Sequence, residues 1–364
     1  MIKTSKHRIV RHPALALLAA SGLLLTACGG SSGQTASGTA AGCDGTKVSV
    51  GITKSASDAP FYVANQKGYF KEEGLTVDFV PFDSAAKMIP PLGGGQLDVG
   101  AGAPSAGFYN AVARDVNLRI VADKGSMPEH YGYMPLMVRK ELFDSGKVTK
   151  IADLQGLKVA EPAQATATSS TLSTMLASAN LKYDDVKHEY IGFPEHAAAL
   201  GNGAIDASLT TEPSATAAEQ QGAAVRLATP PDFYDNQQLA VVLYSDTFAK
   251  DKAKAAQCFM NAYLKGARDY ISAFDNGKLR AGAGDAIAKI VADASGLDAA
   301  LYAKTTPNYV DPDGKVNVKS LQKDYDFFDK QGYLEGSVKI DDIVDTSFAK
   351  AAVAKLGPFK SSGS

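Results

Sequence analysis

From Lys47 onward the chain alternates two kinds of apolar pattern. Val48-Ser49-Val50-Gly51-Ile52 and Leu75-Thr76-Val77-Asp78-Phe79-Val80 tend to an apolar residue at every second position, the period of a strand. Ala59 to Gln66, before the break at Gly68, and Ala85 to Leu92 read as helices, followed by a helix from Pro104 to Ala113 and a strand from Leu118 to Ala122. After a strand at Leu136-Met137-Val138 and a turn or short helix at Ile151-Ala152-Asp153-Leu154, the alternation starts again. Leu157 to Ala160 is a strand, and Leu172, Met175, Leu176 and Ala179 then fall at helical spacing on one face. Strands at 186–193, 205–209 and 225–228 follow, with helices at 195–201 and 213–221 between them. Ala240 to Tyr244 is extended, and the remainder is mainly helical at 250–274, 285–293, 321–328 and 343–356. Strands separated by helices of this length imply parallel pairing through crossover helices.

One unit occurs twice in this text. Gly95-Gln96-Leu97-Asp98-Val99-Gly100-Ala101-Gly102-Ala103-Pro104-Ser105-Ala106 is echoed by Gly203-Ala204-Ile205-Asp206-Ala207-Ser208-Leu209-Thr210-Thr211-Glu212-Pro213-Ser214-Ala215. Each copy is a Gly, an apolar run around one Asp, a loop, and Pro-Ser-Ala opening a helix, where the fixed φ of proline suits the first turn. The repeat predicts two similar α/β lobes whose loops, ending in Pro104 and Pro213, face each other. The second copy carries a carboxylate, Glu212, where the first has Ala103.

The start of the chain bears on compartment. The first 27 residues hold Lys3, Lys6, Arg8 and Arg11, no acid, and the apolar run Ala14 to Leu25, the pattern of a secretory signal too short for a mature span. Its end, Leu25-Thr26-Ala27-Cys28, resembles a bacterial lipobox, so Cys28 is expected to be lipidated and to anchor the chain to the outside of the cell membrane. Gly29 to Gly42 reads as a flexible tether. Without the signal the 37 basic residues fall by four to 33 against 39 acidic ones, a net charge of −6 with no basic cluster, which excludes a nucleic-acid partner. The other cysteines, Cys43 and Cys258, either pair in an oxidising compartment or leave Cys258 buried and free.

Three stretches look similar to a known family. Ala59-Pro60-Phe61-Tyr62-Val63-Ala64 with Lys67-Gly68-Tyr69-Phe70 and Glu73-Gly74-Leu75-Thr76-Val77 resembles the opening of the solute-binding proteins serving taurine, alkanesulfonate, nitrate and thiamine-pyrimidine ABC importers. Asp153-Leu154-Gln155-Gly156-Leu157-Lys158-Val159-Ala160 is similar to that family's second-lobe entry, and Ala199 to Ala207 with Glu212-Pro213 to its later signature. The resemblance implies an α/β, two-lobed periplasmic-binding-protein fold of type II-like build, each lobe a mixed, mainly parallel sheet flanked by helices. The expected divisions are a signal peptide (1–27), a tether (28–43), lobe I (44–136 plus 240–357), lobe II (137–239) and a tail (358–364). It also implies a monomer that closes about hinges near 134–137 and 238–242, takes a small-molecule ligand between its lobes and hands it to a permease with its ATPase.

Candidate ligand contacts follow from chemistry and place. Gln164, Thr166, Thr168 and Ser169 put hydroxyls and free N–H groups at a helix start, which stabilises an anion; the alternative is simple capping. Pro104 and Ser105 make the same case in the first lobe, and Ser55, Asp58, Phe61 and Tyr62 follow the first strand, where such folds bind; either aromatic is also a core candidate. Glu212 either accepts from an amine or aminopyrimidine or favours a helix N-terminus. The ligand is then an aminosulfonate, an aminopyrimidine or a similar small nutrient.

Enzymes share this scaffold, among them a cysteine-dependent desulfinase and a pyrimidine-forming protein that consumes its own histidine, and a ligand-presenting sensor is a further alternative. No cysteine is obviously placed in the cleft, and His130, His188 and His196 lack zinc spacing and are expected at the surface. Gly100-Ala101-Gly102 is an incomplete dinucleotide fingerprint, and Asp311-Pro312-Asp313-Gly314 reads as a turn because Lys315 stands where a calcium loop needs an oxygen. No cofactor, metal or catalytic residue is therefore assigned.

Overall fold

The computed structural model of the chain describes Cys43 and residues 45–360. The signal segment, Cys28, the tether and the last four residues of the tail lie outside the described residues. In chain order the strands of the two main sheets are β1 (Thr46–Ile52), β2 (Leu75–Pro81), β3 (Val99–Gly102), β4 (Arg119–Met127), β5 (Leu136–Arg139), β6 (Lys158–Glu161), β7 (Lys187–Tyr190), β8 (Ala207–Leu209), β9 (Ala224–Ala228) and β10 (Gln237–Tyr244). They form two five-stranded sheets, ordered β2-β1-β3-β10-β4 and β7-β6-β8-β5-β9. In each sheet three strands run parallel, as Val50 beside Phe79 and Val159 beside Ala207, and one antiparallel strand lies between the third and the last.

The two sheets thus share one topology, and in each the antiparallel strand is the one formed directly after the chain crosses between them. Leu136 enters the second sheet directly after the first series, and Gln237 to Tyr244 return to the first sheet after the second series. All eight residues of β10 are buried, as the strand lies between β3 and β4. Both faces of each sheet are covered. On the first, helices Ala59–Gln66 and Ala253–Ser272 pack one face and Ala106–Ala113 and Val318–Lys330 the other.

The repeated aspartates do the same thing in each lobe. Asp98 Oδ2 accepts from Ser49 N–H at 3.0 Å, and Asp206 Oδ2 from Lys158 N–H at 3.0 Å, so each carboxylate ties the entry of a central strand to the strand beside it. Each also faces a cation, Lys252 and Arg139 respectively, at 2.9 Å.

Several elements differ from the sequence pattern. The stretch 85–92 divides into a 3-10 turn (Ala85–Met88) and a helix (Ile89–Gly93), because Pro90 and Pro91 lack the N–H groups needed to continue a helix. Pro104 and Pro213 precede their helices, which start at Ala106 and Ser214. β4 runs past Ala122 to Met127, carrying Asp123 and Lys124 into the interior. The C-terminal helix Val318–Lys330 does more than wrap the first lobe. Its Phe327 lies 5.3 Å from the Tyr183 ring of the second lobe, and its Asp324 accepts from the Tyr234 hydroxyl at 2.8 Å. At the turn starting with Asp311, one carboxylate oxygen accepts from the N–H groups of Asp313 and Lys315. Cys43 and Cys258 form a disulfide with Cα atoms 6.5 Å apart.

Asp324 is wholly buried, and burial pushes its pKa up to about 7; Asp123 is pushed up to about 7 by the same cause. A carboxyl whose folded pKa exceeds its unfolded value of 3.8 contributes stability at low pH, which is lost as pH rises through about 7. Thermal melts should therefore show stability falling between about pH 4 and pH 7, and Asp324→Asn should remove roughly half of that slope. A variant whose pH profile matches the wild type contradicts the assignment.

Candidate functional site

The C-terminal ends of the parallel strands in both sheets converge on one cavity, the place where open α/β sheets bind ligands. It is small, about 30 Å³, and is lined from both lobes. Thr53, Ser55 and Ser57 after β1, and Gly102 ending β3, form the first wall; Thr166, Thr168, Phe193 and Thr211 form the second. Gly102 is needed there because a Cβ would stand 2.5 Å from that of Ala85, so only glycine lets the turn at Ala85–Met88 close over β3.

The chemistry of the cavity is set by a residue the sequence pattern did not single out. Lys124 on β4 is wholly buried and lines the cavity, with Nζ 2.7 Å from Asp58 Oδ1 and donating to Ser57 Oγ at 2.9 Å. Burial pulls its pKa down, while the charge of Asp58 pulls it up. Asp58 Oδ2 in turn accepts from Ser55 N–H at 2.9 Å, and the hydroxyls of Thr53, Ser55 and Ser57 are linked at 3.1 and 3.0 Å. The ammonium is thus neutralised by its own carboxylate, leaving a polar but uncharged wall. Two other lining groups, Ser84 Oγ and the Tyr133 hydroxyl, are buried without a hydrogen-bond partner. Buried polar groups left unpaired cost free energy, and a bound solute can satisfy both. The available signal was the Asp123-Lys124 pair directly after an apolar strand, at the end of the sheet that faces ligand.

Backbone hydrogen bonds join the lobes around the cavity in two matched places. In one, Ala106 N–H donates to Ala165 O at 2.8 Å and Ala167 N–H to Pro104 O at 3.1 Å. In the other, Ala56 N–H donates to Glu212 O at 2.8 Å. The loops of Pro104 and Pro213 both stand on the one cavity, through Ala103 and Thr211, as expected, but they are not hydrogen-bonded to each other. The Pro104 loop is bonded to the loop after β6, and the Pro213 loop to the loop after β1.

The other predicted residues divide accordingly. Ser55, Thr166 and Thr168 line the cavity, and Asp58 sits behind it holding Lys124. Ser105 caps its helix by accepting from Phe108 N–H at 3.2 Å, and Ser169 Oγ accepts from Thr166 N–H at 3.4 Å. Gln164 is exposed outside the cavity. Phe61 packs against Tyr263, Phe259 and Phe79, and Tyr62 lies edge-on to Phe79; both belong to the core and not to the cavity wall.

Glu212 also departs from its candidate role as an amine acceptor. Its carboxylate, wholly buried, is taken up by Arg226 Nη2 at 2.5 Å, the Thr216 hydroxyl and N–H at 3.0 Å, and Thr306 N–H at 3.2 Å. The Thr216 N–H bond is the helix-start role the sequence allowed. Arg226, on β9, supplies the charge that makes its burial tolerable. His130 is exposed and His188 half-buried, but His196 is wholly buried against the surface expectation, and burial pulls its pKa down to about 4. As a neutral ring it donates from Nε2 to Ile191 O at 3.0 Å and accepts at Nδ1 from the Thr210 hydroxyl at 2.8 Å.

The family model of NMT1/THI5-like proteins matches residues 55–273. The chain belongs to the NMT1/THI5-like family. Its fold matches the alkanesulfonate-binding protein SsuA of Xanthomonas axonopodis pv. citri bound to MOPS, with a TM-score of 0.66 and 19% identity over 83% of this chain and 99% of that one. It also matches the periplasmic nitrate-binding protein NrtA of Synechocystis PCC 6803, with a TM-score of 0.69 and 14% identity over 86% and 89%. The desulfurization enzyme DszB aligns at a TM-score of 0.59 and 15% identity over 85% and 99%. No curated protein matches the chain by sequence. This NMT1/THI5-like protein thus has the two-lobed periplasmic-binding-protein fold.

Glu212→Ala should break the buried pair, leaving Arg226 to Glu219 alone, and lower stability by roughly 3 kcal/mol, whereas folded Glu212→Gln should keep its affinity for any solute within about twofold. An amine-specific loss of affinity in Glu212→Gln, read by titration calorimetry, contradicts this placement.

Proposed function

We propose that this protein is the solute-binding component of an ABC importer, tethered to the outer face of the cell membrane through Cys28, and that it delivers a small polar solute to a permease driven by an ATPase. The observation that carries the reading is the cavity shared by the two lobes, with unpaired Ser84 and Tyr133 hydroxyls and the Lys124–Asp58 pair in its walls. Contacts to both walls favour the closed form, and the crossings from β4 to β5 and from β9 to β10 are the natural hinges. Likeness of fold to sulfonate- and nitrate-binding proteins supports the same reading.

The wall chemistry narrows the ligand. With Lys124 in the cavity and Glu212 engaged by Arg226, a cationic group finds no free carboxylate there. Hydroxyl donors and a compensated ammonium suit an uncharged or anionic head, which favours a sulfonate-like solute over an aminopyrimidine. The rival reading, an enzyme of desulfinase or pyrimidine-synthase type, draws on the DszB likeness. Against it, Cys43 and Cys258 are paired with each other in the first-lobe core and neither lines the cavity.

Lys124→Met should weaken the tightest-binding solute by roughly 2 kcal/mol or more, about 30-fold. Because it strands Asp58, the double variant Asp58→Leu with Lys124→Met serves as the folded control and should melt near wild type yet still fail to bind. Wild-type affinity in the double variant, or turnover of the bound solute, rules the reading out.

A further inference from the structure

A second space opens directly outside the cavity and shares two of its lining residues, Ser84 and Pro162. This groove, about 540 Å³, runs between the lobes, with Asp83, Lys87 and Pro90 on one side and Gln164, Tyr190 and Ile191 on the other. Asp83 and Lys87 pair with each other, so this part of the first-lobe wall presents no uncompensated charge, while on the second-lobe side the exposed Glu195 carboxylate disfavours an anionic tail. Tyr190, at the end of edge strand β7, is 40% exposed, one of only two large hydrophobic side chains so exposed among the described residues.

Its ring is held in place from behind. The His188 ring lies nearly parallel to that of Tyr190, at 7° and 6.2 Å, and stacks on Tyr183 at 4.0 Å. His188 Nδ1 is 3.0 Å from Glu161 Oε1 and Nε2 is 2.9 Å from Tyr183 O. Both partners are acceptors, so an imidazolium satisfies both. Tyr183 donates its hydroxyl to the same Glu161 oxygen at 2.7 Å, and that carboxylate is wholly buried. The stack is therefore fixed by an ion pair at its base, and one aromatic face is left to the groove.

We infer that the groove is a second ligand subsite in which Tyr190 receives a flat, uncharged tail, so that this protein selects head-and-tail solutes. The cavity takes the small hydrogen-bonding head and the groove takes an aryl or similarly planar group. The inference rests on the solute-binding reading above, since the groove has meaning only as the extension of that cavity. Tyr190 is then a specificity residue, and Glu161 and His188 position it.

The test uses the purified full-length chain and three solute pairs with the same head: methanesulfonate and benzenesulfonate, acetate and benzoate, acetamide and benzamide. In the pair whose head binds, the aryl member should bind about 3- to 10-fold more tightly, the increment of an aromatic contact. Tyr190→Ala should abolish that increment while leaving the small member within about twofold, and Tyr190→Phe should retain it. Equal affinity within a binding pair, or equal loss of both members in Tyr190→Ala, overturns the subsite and leaves the solute-binding reading intact. Failure of all three pairs to bind the wild-type chain overturns both.

Discussion

A buried ammonium next to a buried carboxylate organises this molecule. Taking Lys124 and Asp58 out of water is costly, and attraction between them at 2.7 Å does no more than offset much of that cost. An apolar pair of the same volume would serve stability as well or better. The pair makes sense as chemistry: it fixes the Ser55 N–H and the Ser57 hydroxyl and presents an N–H donor to the cavity without a net charge. What the cavity accepts follows from that neutrality.

The pair is useful only if a second wall closes over it, and the topology provides one. β5 to β9 form the second sheet and β10 returns to the first, so the chain crosses between the lobes twice. Asp98 and Asp206 anchor equivalent strands in the two lobes. The loops beyond those strands then clasp the opposite lobe through Pro104 O with Ala167 N–H and through Glu212 O with Ala56 N–H. In the second clasp the part of Glu212 that crosses between the lobes is its carbonyl, while its carboxylate stays with Arg226.

The sequence was most legible where local pattern decides structure. Alternation at Val48 to Ile52, the apolar face of Leu172, Met175 and Leu176, and the two Asp-centred repeats were enough to read two α/β lobes and their order. It was least legible where a distant partner decides. Asp123-Lys124 reads locally as the polar end of a strand, and its burial depends on Asp58, Ser57, Gln238 and the Asp311 N–H. Glu212 could not be separated from a ligand acceptor until Arg226, on a strand formed later, took its charge. Phe61 and Tyr62 stand at the right point of the chain for a cleft, but the helix turns them into the aromatic core under Ala253–Ser272.

The most direct measurement is the structure of the full-length protein with its tightest-binding solute. The account predicts one solute seated between the lobes, touching Lys124 or Ser57 on one side and Thr166 or Thr168 on the other, with Ser84 and Tyr133 newly hydrogen-bonded. A solute held by one lobe alone, or bound elsewhere while these hydroxyls stay unpaired, would contradict it.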